Sequence, residues 1–278
     1  MRLQATSTGG IVDGVTPAFT DVSEDVRGDF KLFADAVEGI AAANPQLSAA
    51  LISDSAIEAM VMATPDCFTV YFKTDTDVPV SAGLQWRLLG GNVGYVAWHA
   101  FIRDSSYDIQ VEVRKALDAL LAQGARAWLF DWRDNYGGAT GTIADWFLNG
   151  EPLYVRVART GAPTTATARS ALRLPAAYQL PIAVLMNRRS IAASEAIAVA
   201  WRENHRATII GAKSPGCVGS NQRVVLPGGG SLIVANEEFV GAVTGTHYAN
   251  AGIEPDIASD DATAIDVATK LLQSKVVR

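Results

Sequence analysis

The chain has 278 residues, which at about 150 residues per domain leaves room for two domains. Hydrophobic residues make up 49% and charged residues 19%, enough to bury a large core and unlike a disordered chain. A net charge of −6 without any basic run excludes a generic nucleic-acid binder, and no apolar stretch approaches the roughly 18–20 residues of a membrane-spanning helix.

Residues 1–24 are rich in Gly, Thr, Ser and Asp without periodicity and read as an irregular arm. From Val26 to Ala43, Phe30, Phe33, Val37, Ile40 and Ala41 recur at helical spacing. Asn44-Pro45 stops that helix, because the residue before a proline is pushed out of the α region. A second helix is expected over Gln46–Met62, with Leu47, Leu51, Ile57 and Val61 inward, then a turn and short strand within TPDCFTVYFKTD.

The texture changes near Val78. Strands are predicted at Asn92–Trp98, Ala127–Trp132, Leu153–Val157, Ile182–Met186, Ala207–Ile210, Arg223–Leu226 and Ser231–Asn236. Helices are predicted at Ile109–Ala122, Thr142–Leu148, Ala193–Glu203 and Ala262–Leu272, with a loop over Pro175–Pro181. This alternation gives an α/β core over 78–278, preceded by an arm and helical subdomain over 1–77. Trp86, Trp98, Trp128, Trp132, Trp146 and Trp201 stand mostly at core spacings.

Cys67 and Cys217 lie too far apart to suggest a disulfide framework or a metal knuckle. His99, His205 and His247 are scattered, and there is no HExxH, dinucleotide loop, P-loop or GxSxG elbow. No cofactor and no metal is expected. The opening MRLQATSTGG lacks the apolar centre of a signal peptide. The location is cytoplasmic if Met1 is the native start and extracytoplasmic if a leader was removed.

Three loops at strand ends carry the chemistry. Arg133-Asp134-Asn135-Tyr136-Gly137-Gly138 follows a buried strand, and its glycines let backbone N–H groups approach a ligand. Asn187–Glu195 (NRRSIAASE) meets a helix N-terminus, where unpaired N–H groups favour an anion. Gly211–Gln222 is a glycine-rich turn carrying Cys217. Taken singly, these also fit a plain glycine turn, a capping segment led by Ser190 or Ser194, and a loop with a packed cysteine.

Their order, followed by Gly252–Asp256 (GIEPD) and preceded by Asp66-Cys67-Phe68-Thr69-Val70-Tyr71, resembles the C-terminal processing peptidase family, with its tricorn-like and retinoid-binding relatives. The resemblance covers roughly residues 30–275 and implies a crotonase-like ββα core with a helical N-terminal region. It also implies a serine nucleophile at the middle of S-A-S-A-S-E and a lysine twenty-five positions on. Here those positions hold Ala192 and Cys217, the family histidine falls on Phe68, and the PDZ module is missing.

An alanine methyl cannot attack a carbonyl, which leaves three explanations. The chain is an inactivated Ser→Ala form of a serine hydrolase, or a natural pseudopeptidase binding a peptide or small ligand, or an enzyme with chemistry relocated to Cys217 or a histidine. For the first, a serine at 192 would pair with His99 as base, with Glu254 orienting the imidazole. The oxyanion would rest on N–H groups of Gly137 or Gly138 and of Ala193. His99 and Glu254 also fit an edge histidine and a surface turn residue. His247 is the second choice of base, and His205 reads as solvated. A nucleophilic Cys217 would need a depressed pKa, and it also fits a small residue filling the lysine's volume. The expected partner is a peptide or small acyl substrate, with no nucleic acid and no membrane span; oligomeric state is left open.

Overall fold

The structure, a computed structural model, describes residues 30–64, 66–73, 82–139, 141–226 and 230–276. The irregular arm expected over 1–24 lies outside them. Two compact units divide the chain: Met1–Val78 with Ser220–Asn236, and Pro79–Gly219 with Glu237–Arg278.

In the first unit, α1 (Phe30–Ala43) and α2 (Ala49–Met62) precede the short strand β1 (Val70–Phe72). Ser48 starts α2 in an ordinary way, its Oγ accepting the Leu51 N–H at 3.1 Å. β1 runs antiparallel to Ser231–Ile233. Ile57 and Val224 form a small core with Met60, Val61, Tyr71 and Leu226 around it. Leu51, expected inward, is 47% exposed instead.

The second unit is built on a six-stranded sheet. Its strands are β2 (Gln85–Leu89), β3 (Val93–Ala97), β4 (Ala127–Asp131), β7 (Ile182–Met186), β8 (Ala207–Gly211) and β11 (Ile257–Ala258), in the spatial order β11-β8-β7-β4-β3-β2. All neighbours pair in parallel except β2, which is antiparallel to β3 at the edge. β3, β4 and β7 are buried almost throughout, as strands covered on both faces must be.

Alternate side chains separate two cores. Val96, Trp98, Trp128, Phe130, Trp132, Val184 and Met186 pack with α3 (Ile109–Ala122) and α4 (Ala193–Glu203). On the opposite face, Val93, Tyr95, Leu129, Leu185 and Ile210 pack with Ala264, Ala268 and Leu272 of α5 (Ala264–Val276). In the same unit β5 (Pro152–Ala158) pairs antiparallel with β6 (Thr164–Thr167) and with Glu237–Gly241. The strand β10 (Ser231–Gly241) is longer than predicted, and β9 spans Gly219–Val225. The helix expected over Thr142–Leu148 is only a 3-10 turn at Asp145–Phe147, and β2 and β6 were not anticipated. Trp98, Trp128, Trp132 and Trp201 are fully buried, whereas Trp86 on the edge strand is exposed.

Candidate active site

Because β3, β4, β7 and β8 are parallel and in register, the segments leaving them emerge at one edge of the sheet. That edge, the carboxyl end of parallel strands, is where layered α/β folds place ligands. It carries the segments 98–101, 132–138, 187–192 and 212–217.

The turn into α4 is strained. Ala192, the residue before the helix, has φ 57° and ψ −113°, where an L-residue's Cβ crowds its own backbone. Such a conformation costs about 1–3 kcal/mol and persists only where the surroundings enforce it. Here the Ala192 N–H donates to Glu195 Oε2 at 3.0 Å, its C=O accepts from Ala196 N at 2.9 Å, and the Ile191 N–H donates to Asn135 O at 2.9 Å. The flanking serines are completely buried and face backbone: Ser190 Oγ donates to Trp132 O, and Ser194 Oγ to Ile191 O, both at 2.8 Å. Ala192 between them is half-buried, its methyl turned towards Gly137.

The Gly137-Gly138 pair closes on this turn. A Cβ built on Gly137 (φ 79°) would lie 2.4 Å from Ala192 Cβ and 3.1 Å from Ala193 N. One on Gly138 (φ 119°) would lie 2.5 Å from Phe101 O. Neither position admits a side chain, and the main chains beside 137 and 193 meet. The Gly137 N–H is engaged by Asn135 Oδ1 at 2.8 Å. The N–H groups of Gly138 and Ala193 have no partner among the described residues, so both remain available as donors.

Asn135 also joins this loop to the end of β3, its Nδ2 donating to Trp98 O at 2.8 Å. His99 follows, half-buried, its C=O accepting the Tyr136 N–H at 2.7 Å and its ring lying against Gly83. Asp134, next in the loop, is held below the usual carboxylate range chiefly by its hydrogen bond from Arg189, with a smaller pull from His99. Beneath the loop, Arg133 clasps Asp131 with two hydrogen bonds of 2.9 and 2.7 Å, and Tyr95 Oη donates to Asp131 at 2.8 Å.

The sequence profile described as Peptidase family S41 matches residues 92–259, the stretch that contains all of these segments. The chain belongs to peptidase family S41. A carboxyl-terminal-processing protease of Synechocystis sp. is 34% identical over 155 residues, covering 55% of this chain and 34% of the relative. The chain spans about a third of the length of the curated relatives it matches. Among solved structures, a lipoprotein from Streptococcus agalactiae superposes with TM-score 0.66 at 16% identity, covering 90% of each chain. A photosystem II D1 C-terminal processing protease gives 0.52 at 22%, covering 75% of this chain and 52% of that one. These superpositions show a shared fold.

Several residues expected at this site have other partners or surroundings. Glu254 is an exposed residue paired with Lys213 at 2.7 Å, and the expected contact with His99 is not formed. A charged carboxylate beside Pro255 finds the nearer ammonium and solvent. Cys217 is buried and is not a free thiol, so the nucleophilic role expected of it lacks its thiolate. His247 is exposed and pairs with Glu238 at 2.9 Å, and His205 is exposed just beyond α4. Phe68 belongs to the first unit, where its N–H donates to Asp66.

Sequence reasoning passed over Asn135, Glu195 and Ser214. Glu195 was discoverable: it is the third residue of the helix, the position from which a Glu reaches back to the residue before the first turn. Among the described residues no group of His, Cys, Asp and Glu is arranged to hold a metal ion, and no helix is long and apolar enough to cross a membrane.

Proposed function

We propose that this edge is a serine-hydrolase site of the C-terminal processing type, acting on a peptide or related acyl bond, with residue 192 at the nucleophile and the present chain an inactivated Ser→Ala form. The observation that carries this reading is the conformation of Ala192. Alanine gains nothing from φ 57° at a helix start, where an extended capping residue would serve better. A serine gains a hydroxyl aimed beside the Gly138 and Ala193 N–H groups.

With serine at 192, Oγ would attack the acyl carbon and the developing oxyanion would sit on those two N–H groups, aided by the positive end of α4. His99 is the base in this reading, supported by its position next to the Gly137 loop. The carboxylate that His99 helps to hold below its usual range is Asp134, whereas Glu254 pairs with Lys213. Removing one oxyanion donor from such a site typically costs about 100–1,000-fold in turnover. The parallel strands flanked by helices also fit the crotonase-like core implied by the family resemblance.

One observation favours a second reading, a natural pseudopeptidase that binds peptides or small ligands. Cys217 stands at the position aligned with the family lysine and is not a free thiol, so neither an amine nor a thiolate is offered there. The native codon at 192 and a fluorophosphonate probe separate the two. A serine codon, with labelling confined to the Ala192→Ser form, is expected. An alanine codon and no labelling of Ala192→Ser would overturn the hydrolase reading in favour of the binding module.

A further inference from the structure

We propose that Glu195 is a positioning residue whose buried carboxylate fastens the backbone of residue 192 in its left-handed conformation, and so sets the direction of whatever side chain stands there. The catalytic consequence rests on the hydrolase reading above; the mechanical claim does not. A glutamate three residues into a helix commonly reaches back to the preceding N–H, and Glu195 Oε2 does so at 3.0 Å from Ala192 N. Two features go beyond a cap.

The first is complete burial. Glu195 is 0% exposed, although glutamates are almost never fully buried unless paired, and no cation pairs with it among the described residues. Burial raises its pKa, while hydrogen bonds from Ser214, Gly216, Ala192 and Cys217 act in the opposite direction.

The second is where those donors come from. Oε1 accepts from Ser214 Oγ at 2.5 Å and from Gly216 N at 2.7 Å, both in the loop after β8. Ser214 Oγ in turn accepts the Ile253 N–H at 2.9 Å. One carboxylate therefore ties the strained turn to the 214–217 loop, and through Ser214 to the GIEPD segment. An ordinary capping glutamate at the surface has no second anchor and could follow the turn if it relaxed. Glu195 is held from behind, so residue 192 cannot swing without breaking hydrogen bonds in a dry site, where unsatisfied groups are costly.

The test is a thermal-unfolding cycle on the full chain with Glu195→Gln, Ala192→Gly and the double variant. A carboxamide has one acceptor oxygen, so one set of facing donors is left opposed by an NH2 group. Glycine at 192 adopts the same backbone without strain and needs no fastening. The melting-temperature loss caused by Glu195→Gln is expected to shrink to less than half in the Ala192→Gly background; equal losses in both backgrounds would overturn the proposal.

If Glu195→Gln fails to fold, Ser214→Ala replaces it, with hydrogen exchange at the amide of residue 192 as the readout. At least tenfold faster exchange is expected, and an unchanged rate counts against the fastening role. In the Ala192→Ser form, Glu195→Gln should lower the maximal rate of fluorophosphonate labelling at least tenfold, leaving the half-saturating probe concentration unchanged. Complete absence of labelling in Ala192→Ser alone would remove the hydrolase reading, while the unfolding cycle would still decide the role of Glu195.

Discussion

The starts of α3 and α4 lie in the same unit and are built on opposite principles. At α3, Asp108 is extended (φ −128°, ψ 109°) and its carboxylate accepts the Gln110 N–H at 2.9 Å. That arrangement lowers the local energy by itself. At α4, Ala192 has φ 57°, offers no side-chain acceptor, and is held by Glu195, Asn135 and the wall of Gly137. A helix start that serves only the fold relaxes into its cap. Strain of the kind held at Ala192 clusters at functional sites, which is what the proposed function draws on.

The sharpest way to break this contrast is Gly137→Ala. The new Cβ would meet Ala192 Cβ at 2.4 Å in a left-handed backbone, so a loss of about 2–5 kcal/mol is expected from strain and overpacking together. Denaturant unfolding would measure it, and a shift below about 1 kcal/mol would mean that the two segments do not enforce one another.

A smaller effect concerns the network under the loop. Tyr95 is pushed up to about 12 from its usual value near 10, first by burial and then by the charge of Asp131. Below pH 10 the phenol is protonated in both the folded and unfolded chain, and its contribution is complete. As pH rises from 10 to about 12 the unfolded chain loses its proton first, so stability on the order of 2 kcal/mol should drain away. Tyr95→Phe should remove that step from the stability profile; its persistence would assign it to another group.

The mildest change is Asp108→Ala, expected to cost about 0.5–2 kcal/mol as a lost cap. It should leave labelling of the Ala192→Ser form untouched. A parallel loss of labelling would show that the α3 start also supports the site, and the contrast would fail.

Much of the scaffold could be read from local pattern. α3, β7 and α4 begin and end where periodicity and apolar runs placed them, since each carries a strong one-sided or fully apolar signal. β2 escaped because Gln85-Trp86-Arg87-Leu88-Leu89 is an edge strand with no clean alternation, and β6 because Thr-rich Thr164–Thr167 resembles a loop. At the site, the motif order located the Gly137-Gly138 pair and the start of α4 in one neighbourhood. It gave no means of telling which glycine N–H was already engaged, since that depends on where the Asn135 side chain turns.

The identity and order of its segments, the alanine at 192 and the likeness to a peptidase family were written in the chain itself, because they depend on residue types at fixed separations. The φ of Ala192, the burial of Glu195 and Cys217, and the pairing of Glu254 with Lys213 were decided only by folding. Each depends on which groups distant in sequence come within bonding distance, and on how much water is left between them.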